Sequence, residues 1–387
     1  MPLSFLLLPL LAGQGDYSKT WTQVSTAIRN GFYARDTEKA ELDRLLKQYG
    51  PQASAATSRA EFSKVVNTMI GDFHASHFAF LTDDDQGYYL MDALLRADRA
   101  ATMPEFGAWF ASGPNGNTVT MVLDGSSAQT AGLRKGDVIL KVNDQLFSPI
   151  ASIRPLVDVD ATLTVQRGSQ TLTAKVHVEK ETALDMFLDA SRNSTKVLER
   201  NGRKIGYYHL WTQAGNRFRD SLSGAVYGKL RDTDAMILDL RDGFGGRPEG
   251  YADPFFRPDV WLDWKSGPKE DQKELFGYGR PLVVLINEGS RSAKEVLSYI
   301  LKNSHRAKLI GHTTAGNVLG TSPARINDWS FLEIPLVDVT VAGVRLENNG
   351  VTPDVPVEPQ YDANGGDRVL EAALASLANV PLYKHAG

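Results

Sequence analysis

The stretch Pro281-Leu-Val-Val-Leu-Ile286-Asn-Glu-Gly-Ser-Arg-Ser292-Ala-Lys-Glu295 decides the fold. Its unbroken apolar run, closed by an Asn-Glu-Gly turn, predicts a strand buried on both faces, as in a parallel sheet. Just beyond the turn, Val296, Leu297, Ile300 and Leu301 fall on one face of a helix. Strand, tight turn and helix in that order expose a serine hydroxyl. The same corner points the free N-terminal amides of the helix, and the positive end of its dipole, at a reacting carbonyl oxygen. Ser292 sits on that corner and is the candidate nucleophile.

Working outward, Lys204-Ile-Gly-Tyr-Tyr-His-Leu210 reads as a strand, residues 216–230 as a polar helix and Ala235-Met-Ile-Leu-Asp-Leu240 as a buried strand, so the C-terminal half is α/β. Upstream the texture is strand-rich: Val119–Leu123, Val138–Val142, Ala161–Val165 and Leu172–Val178 are separated by Gly- and Asp-rich turns. The centre of this module, Ser126-Ser-Ala-Gln-Thr-Ala-Gly-Leu-Arg-Lys-Gly-Asp-Val-Ile-Leu-Lys-Val-Asn143, resembles the PDZ signature, in which a short helix ends at Ala-Gly-Leu and Gly-Asp opens the next strand. The resemblance implies a module that adds an extended peptide to a sheet edge and holds its terminal carboxylate on backbone amides. Phe106, Gly107 and Ala108, in Phe106-Gly-Ala-Trp-Phe110, are the candidate carboxylate loop. Further upstream, Leu42, Leu45 and Leu46, then Phe62, Val65, Val66 and Met69, predict two helices, broken between Pro51 and Ser58. Ser58-Arg-Ala-Glu61 fits a capping box, and Gly71 falls just beyond the second helix.

Composition narrows the chemistry. A chain of 387 residues, 42% of them hydrophobic, is enough for two or three domains. A formal net charge of −4 without any run of clustered Lys and Arg offers no field for phosphates, so no nucleic-acid partner is expected. With no cysteine, covalent catalysis must use Ser, Thr or Lys. The first dozen residues are apolar enough for the core of a signal peptide, although they lack its basic flank, and too short for a membrane span. The expected location is therefore periplasmic or secreted, with cytoplasmic the alternative; no integral membrane segment is expected. His74 and His77 with Asp72 could ligate a metal, but no third ligand stands at zinc-like spacing and HExxH is absent. The expectation is no metal and no cofactor.

A serine is inert at neutral pH without a base, and His77, in Gly71-Asp-Phe-His-Ala-Ser-His77-Phe-Ala-Phe80, is the candidate. Together, Gly71–His77, Leu238-Asp-Leu-Arg-Asp-Gly-Phe-Gly-Gly246, Gly289–Glu295, Gly311-His-Thr-Thr-Ala-Gly-Asn317 and Leu346-Glu347-Asn-Asn-Gly-Val-Thr-Pro-Asp354 resemble, in order, the motifs of the S41 peptidases. That family includes the tail-specific (carboxy-terminal processing) and tricorn core peptidases and the non-catalytic retinoid-binding repeats. The resemblance runs from about residue 17 to 380. It implies a multidomain α+β and α/β chain with a ClpP/crotonase-like core. The segments would be a candidate signal peptide (1–15), an N-terminal helical segment carrying Ser76 and His77 (16–100), the PDZ-like domain (101–182) and the peptidase core (183–387).

The family has two catalytic layouts. Where the Ser/Lys enzymes carry lysine this sequence has Asn317, and Lys294 and Lys302 read as surface residues. The resemblance implies instead the tricorn-type tetrad, with Ser292 as nucleophile, His77 as general base, and Ser76 and Glu347 orienting the imidazole. It further implies an oxyanion hole from the amide of Ala293 and from Gly245 or Gly246, in a motif where Gly243-Phe244 replaces the usual Asn-Gly and leaves the donating glycine open. The expected function is serine endopeptidase action on unstructured or C-terminal segments of proteins; the alternative is an inactive relative binding a peptide or hydrophobic ligand.

Overall fold

Three amphipathic helices open the described chain: Tyr17–Gly31, Lys39–Ser54 and Arg59–Gly71, the second burying Leu42, Leu45 and Leu46 and the third Phe62, Val66 and Met69. In this computed structural model, residues 17–264, 272–362 and 365–383 are described, in two compact units. The apolar opening stretch read as a signal peptide lies outside the described residues.

The smaller unit takes residues up to 83 together with 321–337. Its helices enclose a three-stranded sheet in which Ser330–Val337 lies between Ala79–Thr82 and Gly320–Asn327. Phe62 packs edge-on against Phe80 and Trp329 at centroid separations of 5.3 and 6.3 Å, at the centre of its core. The break between the second and third helices falls at residues 55–58, inside the expected stretch 51–58, while Pro51 itself stays within the last turn of its helix; Lys47, whose carbonyl loses its helical donor, is exposed and can bond water. Ser58 does cap the next helix, its Oγ accepting from Glu61 N at 3.2 Å, but the Glu61 carboxylate goes to Thr57 N at 2.8 Å, so the reciprocal half of the box is shifted by one residue.

The larger unit, 84–320 with 338–387, contains two large sheets and, among the described residues, three two-stranded ones. The PDZ-like module is a seven-stranded antiparallel sheet whose main path runs Thr102–Glu105, Gln170–Thr182, Val159–Arg167, Val138–Val142, Gly116–Val122, Ala108–Gly113, with the short helix Ser127–Thr130 at its side. The core sheet has six strands, in order Val355–Pro356, Lys308–Gly311, Leu282–Ile286, Ala235–Asp239, Arg203–His209 and Lys196–Arg200, with only the last pairing antiparallel. Ala235–Asp239 and Leu282–Ile286 are buried at every residue, as expected of central parallel strands. One face is covered by Arg368–Leu377, whose Val369, Ala373, Leu374 and Leu377 pack on Ile237, Val283 and Leu285. Among the described residues no helix is long and apolar enough to cross a membrane.

Candidate active site

Ser292 ends the turn between the buried strand Leu282–Ile286 and the helix Ala293–Asn303, and its backbone is left-handed, with φ 60° and ψ −128°. A non-glycine residue holds such a conformation only where its surroundings over-determine it. They do so here. The Ser292 N–H donates to Asn317 O at 2.8 Å and to Glu295 Oε2 at 3.1 Å. The buried Glu295 carboxylate also accepts from Thr314 Oγ1 (2.6 Å), Gly316 N (2.7 Å) and Asn317 N (2.9 Å), pinning the segment 314–317 to the Ser292 turn. Burial raises the Glu295 carboxyl above its ordinary range, opposed by these donors. Before the turn, Asn287 Oδ1 accepts from Gly289 N and Asp242 N, each at 3.0 Å, tying it to the loop after strand Ala235–Asp239.

That loop carries the two candidate glycines, and the structure separates them. A Cβ on Gly245 would stand 2.4 Å from Ser292 Cβ, 2.7 Å from Ser292 Oγ and 2.8 Å from Ala293 N, whereas one on Gly246 would meet Gln213 O at 2.1 Å. Of the two, only Gly245 abuts Ser292. Phe244 sits against the rings of Trp109 and Phe187, at 5.2 and 5.5 Å, with the Arg291 guanidinium 4.8 Å above it. The loop begins at a buried ion pair: Arg241 holds the Asp239 carboxyl well below the usual range, although complete burial alone would raise it. Lys135, from the PDZ signature run, reaches Asp242 Oδ1 at 2.7 Å and Glu288 Oε1 at 3.0 Å.

Lys294 overturns an expectation. It is not a surface residue: it is fully buried, with Nζ donating to Asp242 O at 2.6 Å. The Lys294 side chain runs back over the loop 241–246 rather than outward, and its long stem is what reaches a carbonyl there. Burial pushes the amine down to about 7, against the pull of Asp239 and Asp242. Lys302 is partly exposed and donates to Thr352 O at 2.6 Å.

Glu347, in the same unit, is 2% exposed, and its Oε2 accepts from Val318 N at 2.6 Å and Leu319 N at 3.1 Å. Ser76 and His77 belong to the smaller unit, between the helix Arg59–Gly71 and the strand Ala79–Thr82. There Ser76 Oγ lies 3.0 Å from His77 Nδ1, and His77 adopts φ 54°. Among the described residues no group of three or more His, Asp or Glu side chains is arranged to hold a metal. Sequence reading missed the bracing roles of Glu295, Asn287, Lys294 and Lys135. For Glu295 a signal existed: Ser292-Ala-Lys-Glu295 has the spacing of a capping box.

Residues 204–357 match the model of peptidase family S41, and residues 118–167 that of a PDZ domain. The chain carries an S41 peptidase domain and a PDZ domain. Similar proteins include a probable CtpA-like serine protease of Staphylococcus aureus, 27% identical over 63% of this chain and 51% of the relative. Carboxyl-terminal-processing peptidase 2, chloroplastic, of Arabidopsis thaliana is 29% identical over 64% of this chain and 51% of the relative. This chain thus spans about half the length of the curated relatives it matches. In fold it resembles the photosystem II D1 C-terminal processing protease, with TM-score 0.55 at 20% identity over 95% of this chain and 98% of that one. The tricorn protease gives TM-score 0.56 at 17% identity over 94% of this chain and 37% of that one. Ser292, Gly245 and Glu347 all fall inside the S41 match, whereas Ser76 and His77 precede it.

Proposed function

We propose that this chain is a serine endopeptidase that cleaves unstructured or C-terminal segments of proteins through an acyl-enzyme at Ser292. The observation that carries the reading is the Ser292 corner: a strained, braced backbone at the start of a helix, with Ala293 N and the Gly245 backbone set against the hydroxyl. Strain at a non-glycine residue is maintained where geometry matters to function.

In this reading Ser292 Oγ attacks the scissile carbonyl and the amides of Ala293 and Gly245 receive the oxyanion. His77 takes the serine proton and returns it to the leaving amine, and water then repeats the cycle on the acyl-enzyme. For Nε2 of His77 to accept, Nδ1 must carry the proton and donate to Ser76 Oγ, which leaves that hydroxyl's hydrogen for a carboxylate, the role we assign to Glu347. Lys294 is not the base. Its Nζ is committed to Asp242 O, and side chains two apart on a helix do not face each other. Its role is to tether the Gly245 loop to the nucleophile helix. Asn317, where Ser/Lys relatives carry lysine, has no amine that can accept a proton.

The substrate is an extended polypeptide, drawn by analogy from the carboxyl-terminal-processing relatives and from the PDZ module. The inactive-relative alternative draws support from none of these findings. The decisive experiment is hydrolysis of denatured casein. Ser292→Ala is expected to abolish it with the melting temperature unchanged; surviving activity refutes the mechanism. The apolar opening residues and the chloroplastic relative support action outside the cytoplasm. A fusion of the first ~30 residues to a reporter active only after export checks that assignment.

A further inference from the structure

The PDZ module holds the groups that a bound peptide would use, and the chain's own side chains already occupy them. Among the described residues the strand Ala108–Gly113 ends the sheet and pairs only with Gly116–Val122. Gly107 O accepts from Leu123 N and Trp109 O from Thr120 Oγ1 on that side, so by alternation Ala108 O and Phe110 N face the outer edge. An added peptide strand would pair with these two groups. They are taken: Gln86, at the start of the helix Gln86–Arg96, donates through Nε2 to Ala108 O at 2.9 Å and accepts through Oε1 from Phe110 N at 3.1 Å. One side-chain amide thus reproduces both hydrogen bonds of a peptide unit.

The carboxylate loop shows the same substitution independently. Gly107 N, an amide in the position expected to hold a peptide's terminal carboxylate, donates to the Glu105 carboxylate two residues earlier. Glu105 and Gln86 are each only 6% exposed, so neither contact is an incidental surface bond. Burying a carboxyl in this place is unfavourable unless it gains a partner, and its charged strand neighbours, Glu179 opposite and Glu181, repel it rather than hold it. A need merely to cover a sheet edge would account for Gln86 but not for a carboxyl group on the loop amide.

We propose that the peptide site of this PDZ module is self-occupied, Glu105 standing in for a terminal carboxylate and Gln86 for the peptide backbone, so that its ligand is a free C-terminal peptide that must displace both. The ligand's carboxylate takes Gly107 N and its backbone takes Ala108 O and Phe110 N, while Glu105 and Gln86 turn out to water. The inference rests on the PDZ match and these contacts and not on the peptidase chemistry.

The test uses the full chain in a Ser292→Ala background, so that the probe is not turned over. The probe is an equimolar pool of fluorescein-labelled decapeptides ending in Ala, Val, Leu or Phe with free carboxylates, beside the same pool C-terminally amidated, read by anisotropy. Gln86→Ala and Glu105→Ala are each expected to tighten binding of the free-carboxylate pool at least tenfold over the background. Glu105→Ala is expected to leave the amidated pool unchanged. Affinities within twofold of the background for both variants, or equal gains for the two pools in Glu105→Ala, overturn the proposal. Should Glu105→Ala melt early, Gln86→Ala decides alone: a tenfold gain supports the proposal and none overturns it.

Discussion

Two glycine-bearing loops of the larger unit, 241–246 beside Ser292 and 105–110 in the PDZ module, are built from similar parts and put to opposite use. In the first, buried side chains brace the backbone from behind, Lys294 on Asp242 O and Asn287 on Asp242 N, as Glu295 braces the adjoining Ser292 N. In the second, buried side chains bond the recognition groups themselves: Glu105 on Gly107 N, Gln86 on Ala108 O and Phe110 N. The difference teaches that, where polar neighbours bond a loop's framework, its recognition face is left for a ligand, and where they bond the recognition face itself a ligand must displace them.

The comparison breaks first at the catalytic groups. His77→Ala is expected to lower kcat/KM on a peptide substrate by at least ~10⁴-fold, about as much as Ser292→Ala, with the double variant little worse, because members of a catalytic unit act non-additively. Independent, multiplying losses would sever His77 from Ser292. Next comes Gly245→Ala, whose Cβ would stand 2.4 Å from Ser292 Cβ; the expected cost is ~10²–10³ in kcat, the scale of a lost oxyanion donor. Gly246→Ala should instead act through folding, because its Cβ meets Gln213 O, and thermal melting separates the two.

Lys294→Met sharpens the role of bracing. It removes the tether on Asp242 O while keeping an apolar stem, and is expected to lower kcat by up to ~10²-fold, the scale of a displacement near 1 Å, with KM moved less than about threefold. Steady-state kinetics with equal losses in kcat and affinity would count against it.

The smallest effect concerns pH at the closed loop. Burial pushes Glu105 and Glu181 each up to about 7 from near 4.5, so the folded chain keeps protons that the unfolded chain releases. Their contribution to stability is fully present below pH 4.5 and is lost as pH rises through 7. Melting temperatures between pH 5 and 8 should fall on this account, and Glu105→Gln should flatten the slope; an unchanged slope would place the titration elsewhere.

Much of this was legible in the chain. The apolar run 282–286, the turn after it and the helical spacing of 297 and 301 gave the corner at Ser292, because burial on both faces and 3.6-residue periodicity leave direct marks. The PDZ strands and the short helix Ser127–Thr130 were legible for the same reason. Lys294 was misread because composition marks lysine as a surface residue, and nothing local tells that a backbone carbonyl 52 residues earlier in the chain will meet its amine. Where within 51–58 the helix ends was not legible, because the cost of Pro51 depends on whether the orphaned carbonyl faces water.

By itself the sequence determined the elements, the strand-turn-helix corner at Ser292 and the family motifs, since these rest on periodicity, turn chemistry and residue type. Tertiary structure alone decided that residues 321–337 join the N-terminal helices, that Gly245 rather than Gly246 meets Ser292, and that Glu105 and Gln86 fill the PDZ edge. Each of those depends on which distant groups come within hydrogen-bond or van der Waals reach, and separation along the chain carries no record of that distance.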